Sequence, residues 1–75
     1  MTPYLNLGGD SAVTSYQYGH DFIEVEFKHK DIYRYSYLRP GSQHVEIMKT
    51  LADNGEGLGA YINKYVRDKY EKKIR

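Results

Sequence analysis

The residues that could do chemistry are few and scattered. His20, His29 and His44 are the imidazoles open to a metal or a proton. Two fall in different turns and one near a helix start, so they do not stand at ligand spacing. Cysteine is absent, which removes thiolate ligands and disulfides together. Serines and histidines are present, but nothing resembles a nucleophile elbow or a base held by an orienting partner. Glu24 and Glu26 share one side of a strand pattern, on a side expected to be flat and wet. A carboxylic acid poised for proton transfer needs burial to raise its pKa. No catalytic residue, metal site or cofactor is therefore expected.

Binding chemistry has better candidates. Tyr33, Tyr35 and Tyr37 alternate along a strand, and aromatic rings on a sheet face can stack unpaired bases. They also lie on the face that carries Ile23, Val25 and Phe27, and no other set in the chain is large enough to form its core, so core packing is the expected role. Asn63 and Arg67 are four residues apart, on one helical face, where they could hold a phosphate or a carboxylate. Arg67 could equally brace the sheet edge. The run Gly55-Glu56-Gly57-Leu58-Gly59-Ala60 precedes a helix, as phosphate-cradling loops do. However, Glu56 puts negative charge in it and no Lys-Ser or Lys-Thr pair follows, so a cap and a tight connection are expected instead. The last twelve residues carry Lys64, Arg67, Lys69, Lys72, Lys73 and Arg75 against Asp68 and Glu71. With +1 overall, that segment stands at +4 and the first 63 residues at −3. A basic end on a mildly acidic body could meet an anionic partner, or be a solvated helix face.

The elements that must place these residues follow from hydrophobic periodicity. Residues 1–10 show no period and read as a flexible arm, in which Leu5 and Leu7 could add a short strand. Val13 to Tyr18 is β-prone and Gly19-His20-Asp21 is a turn signal. Phe22 to Phe27 alternates, with Ile23, Val25 and Phe27 inward and Glu24 and Glu26 outward. Ile32 to Tyr37 alternates again. A three-residue loop at 29–31 would pair Phe27 with Tyr33, Val25 with Tyr35 and Ile23 with Tyr37, and set Glu26 opposite Arg34. A one-residue slip would swap the faces. Ser42 is the expected N-cap of a helix from Gln43, with Val45, Met48, Leu51 and Ala52 at helical spacing and Asn54-Gly55 as its stop. A second helix is expected from Leu58 to Tyr70, with Leu58, Ile62, Tyr65 and Val66 inward. The expected fold is α+β: a three-stranded antiparallel sheet followed by two helices on one face, with Ile23, Val25, Phe27, Tyr33, Tyr35, Ile62 and Val66 in the core. Residues 71–75 read as a basic tail.

These residues resemble the KTSC domain, a short domain named for its place at the C-terminus of some lysyl-tRNA synthetases and also found as a stand-alone protein. Ser11-Ala12-Val13, Tyr16, Tyr18, Phe22 to Phe27 and Ile32-Tyr33-Arg34-Tyr35 carry the likeness, the last through the family's Tyr-x-Tyr motif. Gly59-Ala60-Tyr61-Ile62-Asn63-Lys64-Tyr65-Val66-Arg67 is similar to its terminal Gly-x-Tyr-Phe-Asn-x-x-Ile-Arg pattern. The likeness spans about residues 11–70, and Arg39 to His44 is longer than the family's short Pro-containing turn. The resemblance implies an α+β binding domain and, through the synthetase setting, an RNA partner.

Seventy-five residues make one domain, with little room for a deep pocket. No apolar run reaches membrane-spanning length, and Met1 to Leu5 lacks a signal peptide's basic and apolar regions; a cytoplasmic location is expected. Two functions remain open. One is a small non-catalytic binding module for RNA or protein, with Asn63, Lys64, Arg67, Lys69, Lys72 and Lys73 as its contact. The other is a stand-alone phage or mobile-element regulator that binds and inhibits a host protein.

Overall fold

Phe22–Phe27 (β3) is the centre of an antiparallel meander, since its alternation gives it one buried and one outer face. In the computed structural model, which describes residues 1–9 and 11–75, it pairs with Val13–Tyr18 (β2) on one side and Ile32–Ser36 (β4) on the other. Two short strands complete the sheet: Thr2–Pro3 (β1) beside β2 and Lys72–Lys73 (β5) beside β4. The sheet thus has five strands in sequence order, not three. The two additions come from the segments expected to be an arm and a tail. Asp10, the last residue of the expected arm, lies outside the described residues.

Both additions answer one constraint. The outer edges of β2 and β4 present unpaired N–H and C=O groups, and the chain ends cover them. The Tyr4 N–H bonds to the Thr14 carbonyl at 3.0 Å, Glu71 N–H to Arg34 at 2.7 Å and Ile74 N–H to Ile32 at 2.7 Å. Pro3 and the two lysines then leave short edges that resist further pairing. Leu5 and Leu7, expected to form the N-terminal strand, are each 65% exposed, while Tyr4 is buried.

The β3–β4 hairpin keeps its expected faces but not its register. Val25 pairs with Tyr33, Ile23 with Tyr35 and Glu24, not Glu26, with Arg34. The loop has three residues as expected, but they are 28–30. The Lys30 N–H bonds to the Phe27 carbonyl at 2.8 Å, the Phe27 N–H to the Asp31 carbonyl at 3.0 Å, and Lys30 takes a left-handed φ of 71°. A turn followed by one left-handed residue closes a three-residue hairpin loop. Moving the loop by one position shifts each pairing by two, so the faces survive. A bulge at Thr14 separates the Val13–Phe27 and Ser15–Glu26 pairs. The extra residue lets Val13 and Tyr16, three apart, both enter the core.

Helix α1 spans Ser42–Asn54, with Gly41 at the N-cap and Gly55 in a left-handed C-cap at φ 77°. Ser42 is its first helical residue and gives no side-chain cap. Val45, Met48 and Ala52 face the sheet. The second helix is shorter and wider than expected. An α turn at Leu58–Tyr61 (α2) runs straight into a π turn at Ile62–Val66. Leu58, Ile62 and Val66 are spaced by four, which drifts on an α-helix; the wider π turn keeps them in line. All three are buried, and Tyr65, expected in the same stripe, is 48% exposed. Among the described residues no helix is long and apolar enough to cross a membrane.

Ile23, Val25, Tyr35, Ile62 and Val66 are core residues as expected, joined by Tyr4, Val13, Tyr16, Val45, Met48, Ala52 and Leu58. Phe27 and Tyr33 are only partly buried, packed against that core. Replacing Tyr35 with Ala should destabilise the fold by about 3–5 kcal/mol, since a large ring at 1% exposure leaves a cavity. Chemical denaturation will show a lost or much earlier transition; an unchanged midpoint would place the ring outside the core.

Candidate functional site

A cleft of about 750 Å³ opens between the lower sheet and the α2–π segment. The chain's size left little room for a deep pocket, and a cleft of this volume corrects that expectation. Packing alone creates the space: α2 is a single turn and the chain leaves the helix at Arg67, so the second helix covers only part of the sheet face.

Aromatic rings make the floor. Tyr70, beyond the π turn, lies 4.6 Å from the Tyr33 ring and 6.4 Å, edge-on, from that of Tyr35. Phe27 meets Tyr33 edge-on at 5.8 Å. Tyr35 is 1% exposed overall, and burial pushes its phenol well above the usual tyrosine range, helped by the neighbouring Tyr33 and Tyr70. No buried polar side-chain atom among the described residues is left without a partner.

The rim is polar. Asn63 and Arg67, suggested as a pair by their spacing, both line the cleft, with Asp68 beside them. His29 and Ser11 line it elsewhere; the Ser11 N–H bonds to Asn6 Oδ1 at 3.1 Å, and Ser11 Oγ accepts from Val13 N–H at 3.1 Å. His29 is tied to Asp31 at 2.9 Å.

The other expected contact residues are not on one face. Lys64 lies over the Tyr65 ring at 5.4 Å. Lys69 is exposed beyond the π turn. Lys72 and Lys73 belong to β5, where successive side chains point to opposite faces. Lys73 is opposite Tyr33, 5.9 Å from its ring and 3.6 Å from Asp31; Lys72 is opposite Arg34. The continuous basic helix face of the sequence reading is thus broken by the chain's exit into a strand. Among the described residues, Lys64, Arg67, Lys69 and Lys72 make no ion pair. The sequence reading missed Lys28 and Lys30, brought to the same end by the bond from Arg75 Nε to the Lys30 carbonyl at 3.3 Å.

Each glycine in the 55–59 run has its own steric task. Gly55 caps α1 and Gly57 holds φ 87° before α2. A Cβ on Gly59 would sit 2.7 Å from Ser11 Oγ. The first N–H of α2, on Leu58, is taken by the Tyr4 hydroxyl at 3.2 Å, which removes a donor that a phosphate loop would offer.

The chain matches no family model, no curated protein and no solved structure.

Elsewhere the polar groups are held in structural pairs. Glu24 meets Arg34 at 2.9 Å and Gln17 at 2.7 Å. Glu26 accepts from Ser15 at 2.7 Å, which holds its carboxyl below the usual range, and from Arg75 at 2.9 Å. His44 bonds to Tyr61 at 2.6 Å. Among the described residues no group of three His, Asp or Glu side chains is placed to hold a metal ion. Asp53 accepts from both Tyr16 at 2.9 Å and Tyr18 at 2.6 Å, and Glu46 from Tyr37 at 2.6 Å.

Burial, and then the bond to Asp53, push the Tyr16 phenol up to about 12 from its ordinary 10.0. The folded state therefore holds this proton more tightly than the unfolded chain. The stabilisation is complete below pH 10.0 and lost as pH climbs toward about 12. Denaturation monitored across this range should show stability falling, with a shallower fall in Tyr16→Phe, which has no proton to lose there. Equal slopes in both proteins would exclude Tyr16 as the linked group.

Proposed function

We propose that this chain is a small non-catalytic binding module of the KTSC type, and that its partner is single-stranded RNA. The observation that carries the reading is the position of the cleft. Its aromatic floor and its Arg67–Asn63 rim adjoin the segment that holds the cations without carboxylate partners among the described residues. Rings beside a basic track suit an unpaired strand, whose bases offer flat faces and whose backbone offers phosphates. The tethered carboxylates support a non-catalytic role: Glu24 and Glu26 are held in ion pairs and hydrogen bonds, so neither is a free acid or base. The second reading, a regulator that inhibits a host protein, draws on Leu38, which is 87% exposed in the loop before α1 and would be covered by a protein partner. A cytoplasmic location belongs to both readings.

A labelled single-stranded oligonucleotide should bind at low salt and be recovered intact. With about three phosphates met by Lys64, Lys69 and Lys72, affinity should fall about tenfold or more between 50 and 200 mM salt. Lys64→Glu, Lys69→Glu and Lys72→Gln together should abolish binding without loss of fold, because all three side chains are exposed; Lys72 is only neutralised because Glu71 is adjacent. Absence of RNA binding at low salt, or binding indifferent to the triple change, would overturn the RNA reading in favour of a protein partner. Cleavage of the RNA that tracks one side chain would overturn the non-catalytic reading.

A further inference from the structure

We infer that the cleft seats a singly phosphorylated planar ligand, a nucleoside monophosphate in chemical class, with its ring against the tyrosine floor and its phosphate on Arg67 and Asn63. This rests on the binding-module reading and names what its cleft takes. Four features converge on that class. The cleft's volume of about 750 Å³ is in the range of small-molecule sites. Its two sides differ in chemistry: rings of Phe27, Tyr33 and Tyr70 form one, and Asn63 and Arg67 the other. A ligand that fills it needs a flat apolar part joined to an anionic part.

The third feature is hydroxyl supply. Tyr4, Tyr16, Tyr18, Tyr37 and Tyr61 all place their hydroxyls on protein partners. The hydroxyls of Tyr33, Tyr35 and Tyr70, the three tyrosines of the floor, have none among the described residues. Tyr35 is buried in the core, whereas Tyr33 and Tyr70 are half-buried and line the cleft, so theirs are the phenols that a bound ligand can reach. The fourth feature is charge. Asp68 stands next to Arg67 on the rim, so the site is nearly neutral and suits one phosphate better than a triphosphate. The carboxylate also offers an acceptor for a ribose hydroxyl or an exocyclic amine.

Such a ligand has two sources, a free mononucleotide and the terminal nucleotide of an RNA chain. Adenosine monophosphate, adenosine, adenosine triphosphate and a short RNA with or without a 5′-phosphate are titrated into the isotope-labelled protein, and amide and tyrosine ring shifts are followed. The monophosphate should move Asn63, Arg67 and Tyr70 together. Adenosine and the triphosphate should each bind at least tenfold more weakly. Arg67→Gln, a change at an exposed position, should weaken the monophosphate at least tenfold, with retained spectral dispersion reporting the fold. Gln43→Glu, at an exposed position of α1 outside the cleft, should leave it unchanged. Tyr33→Phe keeps the ring and removes a donor of the floor, and should weaken binding without loss of fold. If the 5′-phosphorylated RNA displaces the monophosphate and the unphosphorylated one does not, the source is an RNA end; if neither does, it is the free nucleotide. No shifts in the cleft at millimolar monophosphate, or equal affinity for adenosine, overturns the inference. RNA binding without cleft shifts overturns it alone and leaves the module standing. Cleft shifts without RNA binding remove the RNA reading and keep the seat.

Discussion

Nine tyrosines in a chain of 75 residues set a constraint that shapes the rest of the molecule. Each ring offers large apolar area, and each hydroxyl must find a partner or an opening when the ring goes inside. The second half of that requirement decides where the helices sit. Tyr16 and Tyr18 rise from β2 to one carboxylate, Asp53 of α1, and Tyr37 reaches Glu46 on the same helix. Helix α1 is thus held to the sheet by apolar contact through Val45, Met48 and Ala52 and by polar struts at two points along its length. The Tyr4 hydroxyl takes the Leu58 N–H and so fastens the N-terminal segment to the start of α2. Tyr61 does the same for the two helices through His44.

Of the four tyrosines that remain, Tyr65 is exposed beside Tyr61 and the other three gather at the cleft. Tyr33, Tyr35 and Tyr70 pack on one another where the second helix has stopped. All three line the cleft, with Asn63, Arg67 and Asp68 on its rim. Where helix and sheet are strapped together the tyrosine hydroxyls are held by helix partners, and where the helix falls short Tyr33 and Tyr70 are only half-buried.

Charge follows a similar division. Half-buried Arg34 on the outer sheet face is shared by Glu24 and Glu71 and lies 3.9 Å over the Phe22 ring. Arg75 is spent on Glu26 and Lys73 on Asp31. Such pairs contribute little individually at the surface, but together they pin the chain end against β4. The basic excess read from composition is smaller in effect than it looks, because two of its six cations secure the terminus that carries them.

Sequence by itself determined the strands β2, β3 and β4, which side of β3 and of β4 is buried, α1 and its glycine stop, and the shared face of Asn63 and Arg67. These follow from periods of two and about 3.6 and from local turn chemistry, which need no knowledge of neighbours. The hairpin register was missed by two residues because Lys30, a residue with no special preference for positive φ, takes the left-handed turn position. The rest was decided only in three dimensions. Thr2–Pro3 and Lys72–Lys73 have little strand propensity and pair because β2 and β4 expose edges that need covering. The π turn arises because residues spaced by four must all reach the core. The cleft is a gap left by a helix that ends early, and a gap has no sequence pattern: it depends on how far one element reaches over another.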